Sequence, residues 1–152
     1  MELAVNRGRK PLIAPTGRPV GAFFRIGGNV RTIWVGIAGF LGAIARYALG
    51  GFIGERVGGA FPWETFIINV SGCFALGFLF TLLTERFLPH PTLRIALTVG
   101  FIGAYTTFST FAFETMRLAE SGAAVLATLN IIASVGAGLL AVYAGTWAGR
   151  AL

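Results

Sequence analysis

Between positions 100 and 114 the chain reads Gly-Phe-Ile-Gly-Ala-Tyr-Thr-Thr-Phe-Ser-Thr-Phe-Ala-Phe-Glu. Its chemistry lies in the interleaving of hydroxyls, at Thr106, Thr107, Ser109 and Thr110, with the rings of Phe108 and Phe111. Phe108 and Phe111 stand three apart and so share a helical face. The edge of an aromatic ring is its positive side, so rings turned edge-on can face a small anion. Plain packing is the other reading of such a pair, and the neighbouring hydroxyls weigh against it. Gly100 and Gly103 leave the backbone unrestrained, while the hydroxyls compete for backbone hydrogen bonds. The stretch therefore predicts a break in a membrane helix. Non-helical backbone at membrane depth is tolerated only where protein buries it or it lines a polar cavity. Freed carbonyls and half-helix ends can hold ions there. A kink smoothed over by hydroxyls bonding to the preceding turn is the alternative.

The other polar groups inside hydrophobic runs are Arg46, Asn69, Asn130, Ser134 and Glu114. An Asn amide in hydrocarbon must find partners, and an interhelical hydrogen bond is its commoner use. Arg46 serves either as an interfacial anchor beside Tyr47 or as a functional cation. Carboxylates at mid-membrane, the mark of proton-coupled or cation transport, are nearly absent. Hydrogen-bond donors with one fixed cation suit an anion.

These residues are carried by a chain of 152 residues that is 55% hydrophobic and 12% charged, against about 25% charged in an average soluble domain. One small core cannot hide that much apolar surface, so the solvent must be lipid. Four spans are predicted, over about 32–54, 65–84, 94–117 and 123–149, giving an all-α membrane protein with its third helix broken. Asn130, Ser134 and Gly138 recur at intervals of four on one face of the fourth span, and Ala133, Ala137, Ala141 and Gly145 form a row suited to packing. Positions 1–31 read as a basic, disordered arm, with Arg7, Arg9, Lys10, Arg18, Arg25 and Arg31 against Glu2. A cleaved secretory signal ending near Ala43-Ile44-Ala45 is disfavoured by the three spans that follow. The net charge of +6 is not a nucleic-acid footprint, because no basic patch alternates with exposed aromatics. The single cysteine, Cys73, excludes an intrachain disulfide, and His90, between two prolines in an expected loop, is given no catalytic role. Four spans leave too little polar chain for an enzyme domain. Four helices also enclose little room for a pore, so at least a dimer is expected.

The stretch 100–111 followed by Glu114 resembles the signature of the Fluc (CrcB) family of bacterial fluoride channels. Gly39-Phe-Leu-Gly42-Ala-Ile-Ala-Arg46-Tyr47, Thr65-Phe-Ile-Ile-Asn69-Val-Ser-Gly72-Cys-Phe74-Ala-Leu-Gly77 and the ending Gly138–Gly145 are similar too. The resemblance implies an antiparallel, dual-topology dimer with two fluoride pores and a structural sodium ion at its centre. It places Phe108, Phe111 and Asn69 in the pore, with Ser109 and Thr110 as hydroxyl positions, Ser134 in the polar track of the fourth helix, and Arg46 as the first-helix arginine. Gly103 and Thr106 match positions whose carbonyls hold the sodium. The family usually has tyrosine where this chain has Asn130, which leaves a pore-lining role there open. Glu114 is a further candidate.

What the resemblance implies is passive fluoride export across the bacterial inner membrane, with protection against fluoride trapped in the cell after HF enters. The alternative from another class is a transporter resembling the small multidrug-resistance proteins, which wants a Glu in the first span where this chain offers Arg46. A subunit active only beside an oppositely inserted homologue is the third reading. With the N-terminus inside, the arm, Arg86, Arg94 and Arg150 lie inside, while Arg56 and Arg117 lie outside. That excess favours one orientation.

Overall fold

A computed structural model describes residues 29–87 and 90–152; the arm expected over 1–31 lies outside the described residues except for its last three, which are helical. Helix α1 covers Asn29–Gly54 and α2 covers Trp63–Thr81, running on through a wider π-helical turn at Leu82–Arg86. A short α3, Pro91–Ile95, continues as a π-helical segment over Ala96–Ile102 and then as α4, Gly103–Tyr105; α5 is Phe108–Glu120 and α6 is Ala124–Ala151. Grouped by length and composition these make four membrane-length helices, Val30–Gly54, Trp63–Glu85, Pro91–Glu120 and Ala124–Ala151. Among the described residues there is no strand.

Local sequence sets the ends. Pro91 opens α3, where its missing N–H costs nothing, and His90 caps it, its Nδ1 accepting from the Thr92 amide at 3.3 Å. Residues 91–93, ahead of the span expected from about 94, are therefore helical. Helix α5 ends in a Schellman arrangement, with Ala123 N–H on the Leu118 carbonyl (2.9 Å) and Gly122 N–H on that of Ala119 (3.1 Å). Gly122 takes φ +81°, which only glycine adopts freely.

The polarity of the interior is reversed from that of a soluble protein. Thr65, Thr81, Thr98, Thr107 and Asn130 are buried, while Phe40, Leu41, Ile132, Leu139 and Tyr143 stand exposed. Lipid is as apolar as leucine, so helices in it are held by close backbone approach and hydrogen bonds rather than by sequestering large side chains. Helices α2 and α6 form the most extensive pairing. A Cβ on Gly77 would run into the Val142 carbonyl oxygen, and one on Gly145 into that of Phe74. Helix α1 sits in the same way on the first half of the third span, where a Cβ on Gly42 would strike the carbonyl of Phe101. Gly145→Leu is expected to destabilise the α2–α6 pair by at least about 1–3 kcal/mol, the usual cost of overpacking. Thermal loss of the monodisperse peak in detergent checks this; an unchanged midpoint contradicts it.

Candidate functional site

Helical backbone stops at Tyr105 and resumes at Phe108. Thr106 (φ −80°, ψ 159°) and Thr107 (φ −147°, ψ 111°) are extended. Two extended residues at this depth free several backbone groups, and each finds a local solution. Thr106 N–H and Oγ1 both donate to the Ile102 carbonyl, at 3.0 and 3.1 Å. Thr107 is the N-cap of α5: its Oγ1 accepts from the Thr110 amide at 3.2 Å and lies 2.9 Å from Thr110 Oγ1 and 3.3 Å from Ser109 Oγ. A threonine three residues ahead of a helical amide is a common cap.

The Thr107 backbone is held from α2. Asn69 Nδ2 donates to the Thr107 carbonyl at 3.0 Å, and the Thr107 amide donates to Asn69 Oδ1 at 2.8 Å. In a continuous helix that amide would bond the carbonyl of Gly103, four residues back; here the Gly103 carbonyl loses its helical donor. Gly72, one turn along α2, lets the two segments meet, because a Cβ there would strike the Thr106 methyl. One face of Tyr105 is tied down as well, its hydroxyl lying 2.8 Å from Ser71 Oγ.

Two hollows flank the break. A groove of about 300 Å³ is lined by Asn69, Gly103, Thr106, Phe108, Phe111 and Ser134, together with Cys73 and Thr107. The Phe108 and Phe111 rings lie 5.7 Å apart, tilted by 46°, and Phe108 is 79% exposed. Six of the residues singled out from sequence thus share one surface. At the opposite side of the break a wider hollow of about 760 Å³ is lined by Arg46, Glu64, Thr65, Thr110 and Glu114, with Thr107 common to both. Glu114 Oε1 accepts from Thr65 Oγ1 at 2.9 Å, and its Oε2 is buried with no partner among the described residues. Arg46 is half-buried. Ser109 is exposed beside the cap. Asn130 is 1% exposed, turned into the contact between α5 and α6.

Thr107 stands out in the sequence only as one hydroxyl of the run at 106–110, and Thr65 and Gly72 do not stand out as site residues at all. The Thr107-x-x-Thr110 spacing is a capping signal that could have found the first. Nothing in the sequence marks the other two, whose roles come from helix pairing.

Four membrane-length helices, with threonines, an asparagine and close-packed glycines among their buried residues, define a multi-pass membrane protein, one with a groove beside the interruption at Thr106 and Thr107. The chain belongs to the CrcB family: the family described as "CrcB-like protein, Camphor Resistance (CrcB)" matches residues 33–146. It is 46% identical over 121 residues to the fluoride-specific ion channel FluC of Acidobacterium capsulatum, covering 80% of this chain and 97% of that one. The identity to the FluC of Solibacter usitatus is also 46% over 121 residues (80% and 99%), and to that of Magnetococcus marinus 44% over 117 residues (77% and 95%).

Proposed function

We propose that this protein is a fluoride-selective channel that lets the anion leave the cell passively across the bacterial inner membrane and so protects against fluoride toxicity. The observation that carries the reading is the groove in which Asn69, Phe108, Phe111 and Ser134 converge beside the break, in a chain whose relatives bear the channel's name. Fluoride is small and strongly hydrated, so a path must replace its water with several donors at once. One Asn69 N–H is spent on Thr107; its amide has a second to offer. The ring edges of Phe108 and Phe111 add positive surface without a fixed charge. The Ser109 and Thr110 hydroxyls beside the cap continue the donor track towards the wider hollow, where Arg46 offers the anion a fixed cation among Arg56, Glu55, Glu64 and Glu114. A narrow donor-lined path excludes larger anions, and no catalysis is needed. Efflux of fluoride from liposomes holding this protein alone tests the reading.

The channel works as an antiparallel, dual-topology homodimer with its third spans, broken at Thr106 and Thr107, meeting at the centre. Support comes from Gly103, exposed at membrane depth with open space where a side chain would be, and from the outward-facing Phe108. Gly103 and Thr106 would hold a structural sodium ion there. The fit is chemical: the Gly103 carbonyl has lost its helical donor to Asn69, and hard carbonyl oxygens suit a hard cation. When bound, the ion would supply positive charge beside the freed Gly103 carbonyl. Reporter fusions at Leu152 test the topology. Activity on both sides of the membrane is expected; signal only inside, with no flux from the protein alone, contradicts the homodimer and calls for an oppositely inserted homologue.

A further inference from the structure

Among the described residues Asn130 is the largest side chain wholly withdrawn from the surface, yet it touches the groove through others. Its Nδ2 donates to Thr115 Oγ1 at 2.8 Å, and Thr115 Oγ1 donates in turn to the Phe111 carbonyl at 2.7 Å. On its other side Ser134 Oγ donates to Asn130 Oδ1 at 3.2 Å. A relay therefore runs from one groove-lining residue, Ser134, to the backbone of another, Phe111. Its polarity is the wrong one for an anion: the Ser134 hydrogen points at Asn130, and only lone pairs are left for the groove.

We propose that Asn130 is a positioning residue that sets which way the Ser134 hydroxyl faces, and that its amide turns over when an anion occupies the groove. The two ends of an amide have nearly the same shape, so the buried pocket accepts either orientation. Turned by 180°, Nδ2 donates to Ser134 Oγ and releases the Ser134 hydrogen to the anion. Oδ1 then accepts from Thr115 Oγ1, which leaves the Phe111 carbonyl to its helical amide. Every buried group in the relay stays satisfied in both states, as a buried polar network requires. The inference rests on reading the groove as an anion path.

The test is a double-mutant cycle on fluoride efflux from liposomes, with Asn130→Leu and Ser134→Ala alone and combined, each sample first checked for wild-type elution. Without Asn130 the Ser134 hydroxyl can fold back on its own helix, so Asn130→Leu is expected to slow efflux about ten- to a hundredfold, the scale of one hydrogen bond to a charged group. In the Ser134→Ala background it should add nothing. Asn130→Asp, which can only accept, pins the Ser134 hydrogen and should slow efflux at least as much. Should Asn130→Leu fail to fold, Thr115→Val perturbs the far end of the relay, and its smaller loss must likewise vanish once Ser134 is alanine. Equal losses in both backgrounds, or no loss with Ser134 intact, overturn the positioning role. A wild type that passes no fluoride overturns the functional reading, and this inference with it.

Discussion

Asn69→Leu is expected to cost this protein more than any other single change in the groove. Leucine keeps the branched skeleton of the asparagine side chain, so the shape is approximately retained while both hydrogen bonds to Thr107 are lost. The Thr107 amide and carbonyl then lack partners at membrane depth, where no water replaces them. At about 1–3 kcal/mol for each orphaned group, the loss is roughly 2–6 kcal/mol, enough to unfold the break or let it collapse into a continuous helix. Ser71→Ala is the control, because it removes the exposed contact with Tyr105 and a bond to the Ile68 carbonyl of its own helix, which keeps its helical amide partner, and should cost less than about 1.5 kcal/mol. Thermal midpoints of the two variants in detergent, together with their fluoride flux, decide the matter. Asn69→Leu as stable and as conductive as Ser71→Ala would count against a structural clamp.

Gly103→Val and Phe111→Ile are expected to fail in opposite ways. Within one protomer nothing lies within 4 Å of a Cβ built on Gly103, so valine there leaves the fold intact. Its harm should fall on what the proposed assembly brings to that surface, a second copy and a sodium ion. Gly103→Val should run as a monomer or precipitate. Phe111→Ile keeps an apolar side chain of moderate size but removes the ring edge, so the dimer should persist. Its fluoride flux should fall on the order of a hundredfold, equivalent to about 2.7 kcal/mol at 1.36 kcal/mol per tenfold. Size-exclusion with light scattering and sodium-dependent thermal shifts separate the outcomes. A Gly103→Val protein that assembles normally with bound sodium removes the central ion from the account.

Much of this was legible because membrane sequences have few polar residues, and each must be placed somewhere. The hydroxyl and aromatic run at 106–111, Asn69 and Ser134 were all visible within apolar runs, and the groove brings Thr106, Phe108 and Phe111 of that run together with Asn69 and Ser134. What the sequence could not separate is which polar residues meet. Arg46, Thr110 and Glu114 belong to the hollow across the break from Asn69 and Phe111, with Thr107 between. Periodicity also says nothing of the π-helical segments at Leu82–Arg86 and Ala96–Ile102, since one extra residue per turn barely alters an apolar pattern. The regular spacing of Asn130, Ser134 and Gly138 shows a shared face but not what covers it. Packing against α5 buries Asn130, whereas Ser134, one turn on, reaches the groove.

The central claim is that this chain alone makes a path for fluoride. Purified protein reconstituted into liposomes loaded with equal fluoride and chloride, opened electrically with a potassium ionophore, tests it with one ion-selective electrode for each halide. The account predicts rapid fluoride release and chloride release slower by at least about a hundredfold, as a path too narrow for the larger ion requires. Equal release of both halides, or no fluoride release from a well-folded dimer, contradicts it.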